Sequence, residues 1–385
     1  MASVAGIDQS DDVLDESVAD DEGLVDTQES SLNYFGADFD VSGLVRRLND
    51  GDIVIPRFEP DEASGLSVEG FQRQRVWTAA RMEQLIESLL LGWPIPSIFL
   101  VLEPDQRYLV LDGQQRLITL QAFYSGFFPN GREFKLKDVA EHLQNATYST
   151  LNKESSRRLN NTFIQAIVIE PLGDDGRDSV YRLFGRLNSG GVILTAQEIR
   201  VALYRGPLIN WIRDLNHNAA WRSLFGAVHK QLKDHELILR VLAMRQVVAQ
   251  IDDDWDDEKK LRAVYKPPMS QFLNNFLQEH RNMDGVDQTD LGEAFSDACG
   301  LVLRVLGPDG LKFLGRLNAA HVDALLSVLM YLFENGMAPD DSQLQAGIID
   351  LRSDDQYIEY VSRSTSHRDS VTGRLYSVFN ALTSE

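Results

Sequence analysis

The chain has 385 residues, with 43% hydrophobic and 25% charged side chains, a balance that suits a folded globular protein. No apolar run approaches the length of a membrane span, no basic segment followed by an apolar stretch reads as a leader, and the single Cys299 excludes an internal disulfide, so a cytoplasmic protein without membrane partners is expected. The net charge is −21, which argues against a protein whose main task is gripping bare DNA, though a local basic groove is compatible with it.

The charge is uneven. Residues 1–40 hold 12 Asp or Glu and no Lys or Arg, so they carry −12 and the remainder carries −21 − (−12) = −9. Such a segment has too little apolar surface to offset ordering entropy, and it reads as an acidic disordered tail, inert or masking a basic groove. "DIVIPRF", residues 52–58, reads as a short strand, and residues 59–70 as a loop. "FQRQRVW", residues 71–77, sets Arg73 and Arg75 between aromatics. That pattern fits phosphate or nucleotide contact with Trp77 as a stacking surface, or equally aromatics anchored in the core with arginines facing water.

Thr78 is placed to cap a helix in which Met82, Leu85, Ile86, Leu89 and Leu90 share one face. Gly92 ends it, and Pro94 and Pro96 prevent its return. Residues 97–103 and 107–111 are joined by a short turn and predict an antiparallel hairpin. Residues 127–160 read as irregular, and "FIQAIVIE", residues 163–170, as a strand. Residues 177–206 predict a helix, a glycine turn and a second helix, with Thr195 and Glu198 at capping-box spacing. Beyond residue 206 helical patterns dominate, at 235–251, about 259–281, 290–306, 318–335 and 341–350, with no convincing strand.

The informative junction is "RYLVLDGQQRLITL", residues 107–120. A strand that turns tightly into a helix gathers backbone N–H groups without internal partners. Gly113 lets backbone approach a phosphate, Arg116 offers a planar fork, and Gln114 and Gln115 add hydrogen-bonding amides. Asp112 suits Mg²⁺ or an attacking water. The bland alternative is that Asp112 caps the helix and Arg116 pairs with a nearby acid. In "GRLNSGG", residues 185–191, a helix C-cap also explains the glycines around Asn188. Zinc, calcium-loop and P-loop signatures are missing from the sequence.

Taken in order, R-x-x-x-W, "PIPSIFL", "DGQQRL" and "FGRLNSGGVILTAQEIR" resemble the DGQQR-motif family with a ParB/sulfiredoxin-like fold, the N-terminal domain family of GmrSD-type restriction enzymes. The resemblance implies an α+β protein, with a small ParB/sulfiredoxin-like core at 41–205 after a tail at 1–40 and an all-helical region at 206–385. It also implies NTP hydrolysis in phage defence or modification-dependent DNA restriction. By position, Asp112, Gln114, Gln115 and Arg116 become catalytic. Arg73, Arg75, Gly113, Arg116 and Asn188 become cofactor-binding, for an NTP of unknown base, and Asp112 takes Mg²⁺. Arg186, Glu198 and Arg200 match the same family block as Asn188. Residues 251–385 contain only His280, His321 and His367, in surroundings unlike an HNH nuclease, so the cutting module is expected elsewhere. The alternative is a non-enzymatic nucleotide or DNA sensor that recruits a separate effector nuclease.

Overall fold

The computed structural model describes residues 31–56, 77–173, 175–187, 194–250 and 264–383. Arg73, Arg75 and Asn188 lie outside these residues, as do residues 1–30 of the acidic segment. The chain divides between Leu194 and Thr195 into two compact units.

The first unit is built on a mixed five-stranded sheet in the order β1-β5-β3-β4-β2. Its strands are β1 (Leu32–Asp40), β2 (Ile53–Val54), β3 (Ile98–Leu102), β4 (Tyr108–Asp112) and β5 (Phe163–Pro171). The expected hairpin is present, with β3 and β4 antiparallel, while β5 joins β3 in parallel and β2 joins β4 in parallel. The boundary of the tail at residue 40 is corrected. Residues 32–40 are β1, antiparallel to β5 through nine register pairs, and the tail reading fails there because cross-strand pairing organises a segment that has no apolar alternation of its own.

Helices α1 (Val41–Asp50), α2 (Ala79–Leu91) and α3 (Gln114–Ser125) share one apolar cluster with the sheet, in which Leu44, Ile86, Leu89, Leu100, Val110, Leu117 and Leu120 are fully buried. Thr78 caps α2, and Gly92 closes it in the left-handed region at φ 79°. The stretch read as irregular holds helix α4 (Lys153–Asn161), and its aromatics Phe128 and Phe134 stack in the core. Glu83, on α2, is buried and accepts from the backbone N–H groups of Lys137 and Asp138, which supplies that loop with the hydrogen bonds a strand ladder would otherwise give. Helix α5 (Gly176–Leu187) packs against β1, β4 and β5 and buries Val180 and Phe184.

The second unit is helical: α6 (Ala196–Leu203), α7 (Pro207–Leu215), α8 (Ala219–Phe225), α9 (Lys233–Ala249), α10 (Met269–Glu279), α11 (Gln288–Leu306), α12 (Ala319–Glu334), α13 (Asp341–Ser353), α14 (Asp355–Ser362) and α15 (Arg368–Thr383). The expectation of no strand beyond residue 206 is corrected in one place: β6 (Lys312–Phe313) and β7 (Arg316–Leu317), two residues each, form a small hairpin around Leu314 and Gly315. Helix α12 is buried almost all round, including Asp323, which Arg240 and Arg374 clamp. Among the described residues no helix is long and apolar enough to cross a membrane.

Candidate functional site

The junction after β4 departs from regular geometry in two ways. The β3–β4 register shifts between Phe99 and Leu100, so that Phe99 faces Asp112 while Leu100 faces Val110, and Leu111 is the extra residue of a bulge. Bulges re-aim the residues that follow them, and here the next residue is Asp112. Gly113 then adopts φ 95° and serves as N-cap of α3 without any side-chain cap. Glycine is required twice over. The backbone is left-handed, and a Cβ would lie 2.5 Å from Ile98 Cγ2. The first N–H groups of α3, at Gln114, Gln115 and Arg116, therefore receive no side-chain cap from the residue that opens the helix.

Arg116 does not point outward. Its guanidinium is buried and directed back under the turn. Nη1 donates to the carbonyl oxygens of Pro96 and, at 3.0 Å, of Ser97. Nη2 donates to Asp112 Oδ2 at 2.5 Å. Burial pushes the guanidinium below its ordinary pKa, and the adjacent Asp112 carboxylate opposes that shift. The expectation that Arg116 holds phosphate directly is not what this arrangement displays. The carbonyls of Pro96 and Ser97 and the Asp112 carboxylate satisfy the planar fork from inside.

Asp112 does not cap α3. Its side chain keeps 46% of its surface exposed while Oδ2 is held by Arg116. Among the described residues Oδ1 has no hydrogen-bond partner. Gln115 is directed inward too: its Oε1 accepts from Trp77 N at 2.9 Å and ties the start of α2 to the start of α3. The Gln114 amide makes no hydrogen bond among the described residues and is half-buried beside Asp112. Trp77 is less open than a stacking platform would be. It packs on the core cluster, and the Arg81 guanidinium lies 4.5 Å from its ring centroid.

The structure thus brings Asp112, Gly113, Gln114, Gln115 and Arg116 together, and it adds Pro96, Ser97 and Ile98, which residue-type reasoning missed. The "PIPSIFL" stretch was the signal for them, since two prolines before a strand fix where the Pro96 and Ser97 carbonyls point.

The second family block behaves differently. Arg186 is exposed on the last turn of α5. Thr195 and Glu198 form the expected capping box, with Glu198 Oε2 accepting from Thr195 N at 2.9 Å. Arg200 is 1% exposed and donates through Nε to Asn274 Oδ1 at 3.0 Å, with Glu236 Oε2 3.7 Å from Nη1. Glu198 thus caps α6, and Arg200 ties α6 to α10 within the helical unit.

Among the described residues no group of three or more His, Cys, Asp or Glu side chains could hold a metal ion. A single carboxylate with one open oxygen still fits Mg²⁺, which is commonly held by one or two carboxylates together with substrate phosphates and water.

Residues 55–205 match the family described as GmrSD restriction endonuclease, N-terminal domain. The match spans the turn after β4 and runs into α6 of the helical unit. No curated protein and no solved structure matches the chain.

Proposed function

Because residues 55–205 match the family described as GmrSD restriction endonuclease, N-terminal domain, we propose that this protein binds and hydrolyses a nucleoside triphosphate as a regulatory component of a bacterial restriction or phage-defence system. The observation that carries the reading is the half-open Asp112 carboxylate. Arg116 anchors it at the exit of a bulged strand, against the uncapped start of α3.

The roles divide by direction. The N–H groups at the start of α3 receive phosphate oxygens and stabilise charge that develops on them. Gly113 allows that close approach. Asp112 orients the attacking water or would hold Mg²⁺, and Gln114 adds a hydrogen bond to substrate or water. Bound Mg²⁺ would supply neutralising charge between phosphate oxygens. Arg116 is a positioning residue: it fixes the rotamer of Asp112 from below. Arg73 and Arg75 are the cations left for phosphate, and Asn188 a further polar contact.

Cutting is assigned to a separate effector. Of the three histidines after residue 250, His321 is fully buried, bonded through Nδ1 to Tyr357 Oη at 2.7 Å, and burial, helped by Arg352, pushes its pKa down to about 3. His280 bonds Gln246, and His367 is exposed elsewhere. The inward turn of Arg116 favours one other reading, a nucleotide or DNA sensor without chemistry that recruits the nuclease, because it removes one cation from the phosphate side.

A panel of NTPs with Mg²⁺, measured for binding and for phosphate release, tests both. Hydrolysis that disappears in Asp112→Ala while binding persists supports the enzyme. Binding without release supports the sensor, and the lack of any binding rejects both.

A further inference from the structure

Ser97 carries two links. Its carbonyl oxygen accepts from Arg116 Nη1 at 3.0 Å, and its hydroxyl donates to Gln165 Oε1 at 3.0 Å. A linked path therefore runs from Asp112 through Arg116 and Ser97 to Gln165 on β5. Strand register explains the reach. β5 runs parallel to β3, with Ile98 beside Ala166 and Phe99 beside Ile167, and Phe99 also faces Asp112 on β4. The first residues of β5 thus lie at the end of the sheet where β4 gives way to α3. Ile164 and Ala166 are buried in the cluster shared with α1, α2 and α3, so Phe163 and Gln165 belong to the other face. Asp38 of β1 is directly opposite Gln165 and shares that face.

These residues are not used up by the fold. Phe163 is 68% exposed, although it opens a strand whose alternate residues are buried. Gln165 has its oxygen held by Ser97, which leaves its Nε2 group to donate, and among the described residues Nε2 has no partner. The Asp38 carboxylate is exposed and also lacks a hydrogen-bond partner among the described residues.

We propose that Phe163, Gln165 and Asp38 form the nucleoside end of the Asp112 site: the base stacks on Phe163, and the ribose hydroxyls meet Gln165 Nε2 and Asp38. This rests on the reading of Asp112 and the start of α3 as the phosphate end. From Asp112, Gln165 is two strand spacings across and two residues along, roughly 12 Å between Cα atoms. Phosphates at α3 and a sugar at Gln165 then fit one extended nucleotide, with Phe163 two residues beyond for the base. A hydroxyl both donates and accepts, which matches an N–H donor set directly opposite a carboxylate. The 2′-hydroxyl is the group by which a protein tells a ribonucleotide from a deoxynucleotide. Stacking on a single ring tolerates any base, so this end reads the sugar more than the base.

Equilibrium binding of the four NTPs, their 2′-deoxy counterparts and inorganic triphosphate to the full chain with Mg²⁺ tests this. Phe163→Ala should weaken NTP binding about tenfold, from the loss of one stacked base, and leave inorganic triphosphate unchanged. Phe163→Tyr should restore the affinity. Gln165→Ala should weaken ribonucleotides about fivefold and deoxynucleotides less, narrowing the gap between them. Neither change should move the unfolding midpoint, because both side chains are exposed. Tyr34→Ala is the control: Tyr34 is 74% exposed on the same face but pairs with Ile169, at the far end of the sheet, and its loss should change nothing. NTP binding that Phe163→Ala leaves intact overturns this inference alone, and so does an equal loss with Tyr34→Ala or with inorganic triphosphate. A wild type that binds no NTP overturns the phosphate site and this inference together.

Discussion

Two arginine–carboxylate clusters sit in the two units, and they differ in what they leave open. In the helical unit, Asp323 is fully buried and receives Arg240 Nε and Nη2 at 3.0 and 2.7 Å and Arg374 Nε and Nη2 at 2.9 and 3.0 Å. Both of its oxygens are engaged. In the sheet unit, Asp112 receives one bond from one arginine and keeps an oxygen toward solvent. Burial is the largest influence on both Arg116 and Arg240, yet the outcomes are opposite. For Arg240, Asp323 together with Glu236 and Tyr265 outweighs burial and holds the guanidinium above its ordinary pKa, whereas for Arg116 burial outweighs Asp112. A saturated cluster joins α9, α12 and α15, while a half-saturated one leaves a carboxylate oxygen without a partner among the described residues.

The sharpest way to break this contrast is at Asp323. Asp323→Asn removes the carboxylate shared by two buried guanidiniums, and removing one partner of a buried pair costs about 3–5 kcal/mol. Urea unfolding should show a loss of that size. A loss no larger than that of Asp112→Ala would erase the distinction between the clusters.

Gly113→Ala comes next. The new Cβ would sit 2.5 Å from Ile98 Cγ2 in a left-handed backbone, and strain with overpacking together cost roughly 3 kcal/mol. The variant should unfold earlier in urea and lose nucleotide binding, because relieving the clash moves the start of α3. Gly92→Ala, equally left-handed but with open space around it, is the control and should be milder.

A third test uses pH. Burial opposes ionisation of Asp234, but the hydrogen bond and charge of His235, the Arg222 charge and the Asn216 amide outweigh it and depress its pKa to about 2. The folded value lies below the unfolded one. The stabilisation is therefore complete above about pH 4 and is lost as the pH falls toward 2, on the order of 2 kcal/mol in all. Unfolding of the wild type should weaken across that window more than unfolding of Asp234→Asn. Parallel curves would mean that the network around Asp234 does not hold it ionised.

How much of this was legible depends on whether the signal is local. Helix α2 carries its own cap, apolar face and stop in Thr78, Leu85, Ile86, Leu89 and Gly92. The β3–β4 hairpin and the Thr195–Glu198 box are equally local. Strand β1 is not: its residues are exposed along most of the strand, and only register with β5 makes it a strand. Helix α4 buries Leu159 alone, so it has no periodicity to read. At the site, the residue types of Asp112 to Arg116 and the need for Gly113 were legible. The direction of Arg116 was not. Five N–H donors turn toward whichever acceptors the fold provides, and the Pro96 and Ser97 carbonyls belong to a segment twenty residues earlier. Arg200 stands two residues after Glu198, yet its buried partners in the helical unit, Asn274 and Glu236, lie far along the chain.

The smallest stability effect should fall on Asp112, and it separates site from scaffold. Asp112→Ala removes the carboxylate that Arg116 holds, but the guanidinium keeps the Pro96 and Ser97 carbonyls as acceptors and lies close enough to the surface to recruit water. Half-exposed ion pairs contribute at most about 1 kcal/mol, so the unfolding midpoint should hardly move. NTP turnover should disappear, since the open oxygen that orients water is gone. Arg116→Lys should keep the charge and lose the fork, so one ammonium cannot hold two carbonyls and Asp112 in the same geometry. Its turnover should drop while its nucleotide affinity changes little, because the N–H groups of α3 remain. If Arg116→Lys instead loses affinity and keeps turnover of the bound fraction, Arg116 touches phosphate when nucleotide is present, and its inward position belongs to the nucleotide-free protein alone.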